Sequence, residues 1–255
     1  MIGLVFSRKA GGLLATSRKG PVIYILSFII YVAAVYAFKR ATYPRPWVST
    51  CAFFPDKKNI SILMIFLSSD YWFANHFKNR IRQLEYSPTR QIVLKKYIVE
   101  SNRLNVLLSA IVLFTLIILH SKSDQIVFYT AMSCIAFLRY VSRSYEIAYA
   151  FGRDVFQSSK NESGLLKNER ISLAIWSYFE IFLYSAAAYL AVFDDISPLK
   201  AIVASLSIGT FINGGVLDNQ RESTTFGIII FIQVLCTLSL VILSLAAYLS
   251  RENDA

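Results

Sequence analysis

The chain has 255 residues, with 26 Lys and Arg against 16 Asp and Glu for a formal net charge of +10, yet 55% of it is hydrophobic and only 16% charged. That balance points away from a soluble globule and fits an integral membrane protein with little room for a separate soluble domain. The basic residues are spread between apolar runs instead of gathering on one face, so they speak of topology, and nothing favours nucleic acid as a partner.

In chain order, residues 1–20 form a basic N-terminal segment with Arg8, Lys9, Arg18 and Lys19 and no acid. The apolar run 21–38 that follows reads as a retained anchor rather than a cleaved signal. Further apolar segments cover 60–77, 104–120, 125–140, 171–193 and 224–249. The expected fold is therefore an all-α integral membrane protein with about six transmembrane helices. Segment 60–77 is unusual in holding Asp70, Tyr71 and Trp72. The stretch 78–103 carries seven Lys or Arg against two acids, and 139–170 is also basic. An excess of Lys and Arg marks cytoplasmic loops, which predicts a multi-pass protein of the inner (plasma) membrane with both termini cytoplasmic. This topology puts 39–59 outside, although it carries Lys39, Arg40, Arg45, Lys57 and Lys58 against Asp56 alone.

Stretch 78–103, interrupted at Ser87-Pro88, reads either as a surface helix on anionic membrane lipid or as a solvated loop. The fourth helix is expected to run past the membrane to Phe156, because 125–156 contains no Pro and Gly152 as its one Gly. Arg139 and Arg143 then snorkel at its membrane edge. The division is a basic segment 1–20, a four-helix membrane region 21–156, a linker 157–170, a hairpin 171–250 and a tail 251–255.

The hairpin holds a third apolar run, 196–210, between its two long segments. Its 15 residues fall short of the roughly 20 that a crossing needs, and it ends in Phe211, Ile212, Asn213, Gly214 and Gly215. A short helix ending in a Gly-containing loop reads as a re-entrant element, which survives at membrane depth only where protein or water covers it. On this plan, on the stretch 170–189 (R-I-S-L-A-I-W-S-Y-F-E-I-F-L-Y-S-A-A-A-Y) and on 205–215 (S-L-S-I-G-T-F-I-N-G-G), the chain resembles the bacterial potassium-channel-like family with its two-helix pore domain. Thr210 and Gly215 match the family's Thr-Thr-Val-Gly-Tyr-Gly filter, whereas Phe211, Ile212, Asn213 and Gly214 depart from it, so the filter is degenerate. The resemblance implies a homotetramer in which Thr210, Phe211, Ile212, Asn213, Gly214 and Gly215 form the pore loop. Gln233 and Thr237 would line the inner vestibule, and monovalent cations would pass with weak selectivity. The acids Asp194, Asp195, Asp218 and Glu222 would ring the outer mouth.

Glu180 sits nine residues into an apolar span, where a carboxylate is costly unless paired, protonated or facing water. It reads as a pore-support acid or as a helix-packing group bonded to a Tyr or Ser hydroxyl, and Asp70 reads the same way. Gln233 and Thr237, four apart on one helix face, serve equally as packing contacts. Enzyme signatures are missing: there is no His-Glu-x-x-His, phosphate-cradling Gly loop or nucleophile elbow. No catalytic residue or cofactor is expected, and Cys51, Cys134 and Cys236 lie too far apart for a metal motif. A second reading keeps the pore fold without conduction, as a membrane sensor or scaffold acting through a partner or lipid.

Overall fold

The computed structural model describes residues 20–43, 68–83, 87–121, 125–156, 164–193, 196–212 and 224–241, and among them every regular element is helical. We number these helices α1 (Gly20–Ala41), α2 (Ser69–Arg82), α3 (Ser87–His120), α4 (Ile126–Phe156), α5 (Lys167–Val192), α6 (Pro198–Gly209) and α7 (Thr224–Leu238). Segments Pro21–Ala41, Pro88–His120 and Asn168–Val192 are long and apolar enough to cross a membrane, while α6 and α7 are shorter and apolar. The chain is thus an all-α protein of membrane character.

Local sequence explains the helix ends. Ser68 caps α2, its hydroxyl accepting from the Tyr71 amide at 3.2 Å, and Asp70 follows in the first turn, where a helix dipole favours an acid. The helix found in segment 60–77 therefore begins at Ser69, and residues 60–67 lie outside the described set. Ser87-Pro88 opens α3 instead of interrupting a helix, because Pro fits a first turn that has no amide to satisfy. The basic stretch 87–103 is the first half of that 34-residue helix, neither a loop nor a separate surface helix. At 1.5 Å per residue α3 is about 51 Å long, more than the roughly 30 Å of hydrocarbon it must cross.

An outward stripe divides α3. Leu104, Leu107, Ile111, Phe114 and Ile118 are exposed at alternating steps of three and four, whereas Lys96 and Arg103 are the exposed positions just before it. An apolar stripe of this kind suits lipid, and the charged half suits water. The expected continuation of the fourth helix is present, since α4 runs unbroken for 31 residues.

α4 is the hub of the bundle and packs against α1, α2, α3, α5 and α7. Two apolar cores lie on either side of it. One joins α3, α4, α5, α6 and α7 around Leu116, Tyr140, Tyr184 and Ala204. The other joins α1, α2 and α3 around Tyr31, Phe73, Phe77 and Tyr97.

The direction of α1 corrects the expected topology. Tyr31 meets Asp70, Asp70 meets Arg139, and Lys39 meets Glu146. Passing from 31 to 39 on α1 therefore passes from 139 to 146 on α4, and the two helices run parallel. The Tyr43 ring, 5.1 Å from Phe77, shows that α1 also runs parallel to α2. Strict alternation of spans had made both pairs antiparallel. The end of α1, with Lys39 and Arg40, instead lies beside Phe77 and Tyr97, at the same end of the bundle as the basic start of α3. The conflict over a basic outer loop at residues 39–43 disappears with it, and so does the ground for placing the N-terminal segment on the basic side.

Candidate functional site: a buried ion-pair core beside the hairpin

Three cations and three anions are buried where the two apolar cores meet: Lys39, Arg139 and Arg143 with Asp70, Glu146 and Glu180. Arg139 pairs with Asp70 at 2.5 Å, donates to the Tyr184 hydroxyl at 3.0 Å and to Asn105 Oδ1 at 2.7 Å. The second Asp70 oxygen accepts from the Tyr31 hydroxyl at 3.0 Å. One turn along α4, Arg143 grips Glu180 with two bonds of 2.6 and 2.8 Å and also pairs with Glu146. Glu146 completes the chain by holding Lys39 Nζ at 3.2 Å through both oxygens.

The charges cancel within the cluster, and the forked guanidinium geometry suits the bidentate contact to Glu180. Burial of this kind adds little net stability over an apolar core, yet leaving one member unpaired costs about 3–5 kcal/mol. The cluster ties α1, α2, α3, α4 and α5 to one another. Among the described residues no group of His, Cys, Asp and Glu could hold a metal ion.

Arg139 and Arg143 do not snorkel at a membrane edge, because each is at most 4% exposed and spent on carboxylates inside the bundle. Both lone acids that the sequence singled out are present in the cluster, but their partners are these arginines instead of Tyr or Ser hydroxyls alone. One signal could have found them: two arginines four apart share a helix face, matching two isolated membrane acids.

The hairpin adjoins this core through α5. Ser197 caps α6 and Pro198 occupies its first turn. The α6 face of Ala201, Ala204, Ser205, Ile208 and Gly209 is buried. Small residues let backbones approach, and a Cβ on Gly209 would stand 1.9 Å from Cε1 of Phe182. Polar contacts fix the register. Ser185 and Ser205 hydroxyls meet at 2.6 Å, the Gln233 amide donates to the Ser205 carbonyl at 2.7 Å, and Tyr178 donates to the Gly209 carbonyl at 2.9 Å.

Of the residues assigned to the pore loop, Thr210 ends α6 and bonds back to Leu206, Phe211 turns the chain at φ +59°, and Ile212 is exposed. Asn213, Gly214 and Gly215 lie outside the described residues, as do the outer-mouth acids Asp194, Asp195, Asp218 and Glu222. Gln233 and Thr237 are fully buried within the single chain: Gln233 accepts from Tyr189 at 2.7 Å, and Thr237 donates to the Gln233 carbonyl at 2.9 Å. Gln233 therefore ties α7 to α5 and α6, whereas Thr237 bonds back along α7 itself.

The fold and the site together define an all-helical membrane protein with a charge-neutral ion-pair core and a helix, half-helix, helix hairpin. Comparison with protein families, with curated proteins and with solved structures finds no match to this chain.

Proposed function

We propose that the chain is a channel-like membrane protein, a homotetrameric and weakly selective cation pore built on the hairpin of α5, α6 and α7. The observation that carries this reading is α6. It is an apolar helix of 12 residues, too short to cross, seated by its small-residue face against α5 and α7 and ended by a left-handed turn at Phe211. Four such turns around an axis would bring residues 210–215 together as the constriction. The departures from the potassium filter leave no basis for strict potassium selectivity, and the outer acids 194, 195, 218 and 222 would concentrate cations. Such a protein belongs in the inner (plasma) membrane with the basic end, from Lys39 to Arg103 in space, on the cytoplasmic face.

Ion flux into liposomes tests the proposal, with wild type compared to Asn213→Leu under opposed potassium, sodium and chloride gradients. Cation flux that the substitution abolishes supports it, and chloride flux or flux indifferent to the substitution overturns it. A second reading, a non-conducting membrane sensor or scaffold, is favoured by α7. Gln233 and Thr237 are turned into the chain, and its outward residues Ile228, Phe231, Leu235 and Leu238 are apolar. Absence of flux from folded, tetrameric protein at every voltage applied would select that reading.

A further inference from the structure

The candidate loop hangs from one end of α6, and two side chains of α5 hold that end. Tyr178 donates to the Gly209 carbonyl, and the Phe182 ring lies directly over the Gly209 Cα. Glu180 stands between them in sequence, both of its oxygens taken by Arg143. Arg143 is shared with Glu146, and Glu146 with Lys39.

We infer that the line Lys39, Glu146, Arg143, Glu180 is a positioning device that sets where α6 ends, and so sets the conformation of residues 210–212. This deepens the pore reading and takes its meaning from it, although the mechanical link stands on contacts within one chain. The physical argument concerns sharing. Arg143 divides its guanidinium between an acid on its own helix and an acid on α5. Lys39 supplies Glu146 with a second cation, which lessens its hold on Arg143 and leaves the fork free for Glu180. Withdrawing Lys39 removes one of the cations beside Glu146, which strengthens the pull of that carboxylate on Arg143 and draws the guanidinium along α4. The α5 turn bearing Tyr178 and Phe182 then loses its anchor, and Gly209 moves with it. The Arg139 clamp on Asp70 and Tyr184, one turn away, holds the rest of the bundle, so the effect falls on the hairpin. Whatever displaces the end of α1 is thereby communicated to residues 210–212.

The experiment places a reporter thiol at Ile212→Cys in a Cys51→Ser background, where Cys134 and Cys236 are buried. The reconstituted protein is reacted with a methanethiosulfonate reagent. Lys39→Met is expected to change the labelling rate by at least about fivefold, the low end of ordinary coupling between sites, and Lys39→Arg to restore it. Glu100→Gln, which breaks only the exposed pair with Lys96, serves as the control and leaves the rate unchanged. Arg143→Lys keeps the charge but loses the fork, and it carries the test if Lys39→Met does not fold. A purely structural role would lower the melting temperature of these variants without altering the labelling rate of the folded fraction. Parent-like labelling of folded Lys39→Met, or of folded Arg143→Lys where the former does not fold, overturns the inference. A labelling shift in a protein without flux keeps the device and removes the pore, whereas flux with unchanged labelling does the reverse.

Discussion

At the residue scale, the ion-pair core and the α6 contact make predictions of different size. Glu180→Ala leaves Arg143 buried with half its partners, and unfolding in detergent should show a loss of about 3–5 kcal/mol; a loss below about 1 kcal/mol would mean that water reaches the guanidinium. Lys95→Ala removes an ion pair to Glu169 that is about one-third exposed on both sides, and should cost less than about 1 kcal/mol in the same assay. Gly209→Ala must push Phe182 aside and is expected to destabilise by about 1–3 kcal/mol through overpacking. Phe182→Leu in the same chain should recover part of that loss, and failure to do so would place the strain in the backbone of α6. Asp70 and Glu180 were legible as sites because a lone carboxylate in an apolar run is costly. The one hint of their partners, Arg139 and Arg143 four apart on a helix face, names no pairing, since 69 and 37 residues separate each acid from its arginine.

At the element scale, α3 joins what hydropathy reads as two things, a basic stretch and an apolar span. The outward stripe from Leu104 to Ile118 marks the part in contact with lipid. Ile111→Lys should therefore cost about 2.5–3.5 kcal/mol of insertion free energy, the scale of a charge at the centre of a membrane helix. Ile92→Lys, equally outward but before Arg103, should insert and fold as the parent does. Equal damage from both, measured as the yield of membrane-inserted protein, would move the lipid boundary toward Ser87. The continuation of α4 to Phe156 was legible because nothing in 125–156 stops a helix. The helix start at Ser69 was missed because a Ser cap followed by Asp looks, to a hydropathy window, like a weak patch in a span.

At the scale of the whole molecule, the parallel course of α1 and α4 places Ala41 and Gln83 at one end of the bundle and Ser121 at the other. All three positions are exposed, so single cysteines there, in the Cys51→Ser background, report sidedness directly. Ala41→Cys and Gln83→Cys should be modified by an impermeant reagent from the same face of sealed vesicles, and Ser121→Cys from the opposite face. Labelling of Ala41→Cys together with Ser121→Cys would restore the alternating topology and break the contact of Lys39 with Glu146.

The sequence alone determined that this protein is helical and of membrane character, where its apolar segments fall, and that a short helix lies between the last two apolar segments. These properties follow from composition and from local patterns that a window of about twenty residues contains. Tertiary structure decided the direction of α1, the pairing of Lys39, Asp70 and Glu180 with α4, and the inward turn of Gln233 and Thr237. Each of these depends on which helices become neighbours. A charge or amide in a membrane bundle takes whichever partner packing brings within reach, and no local pattern names a partner that can lie 107 residues away.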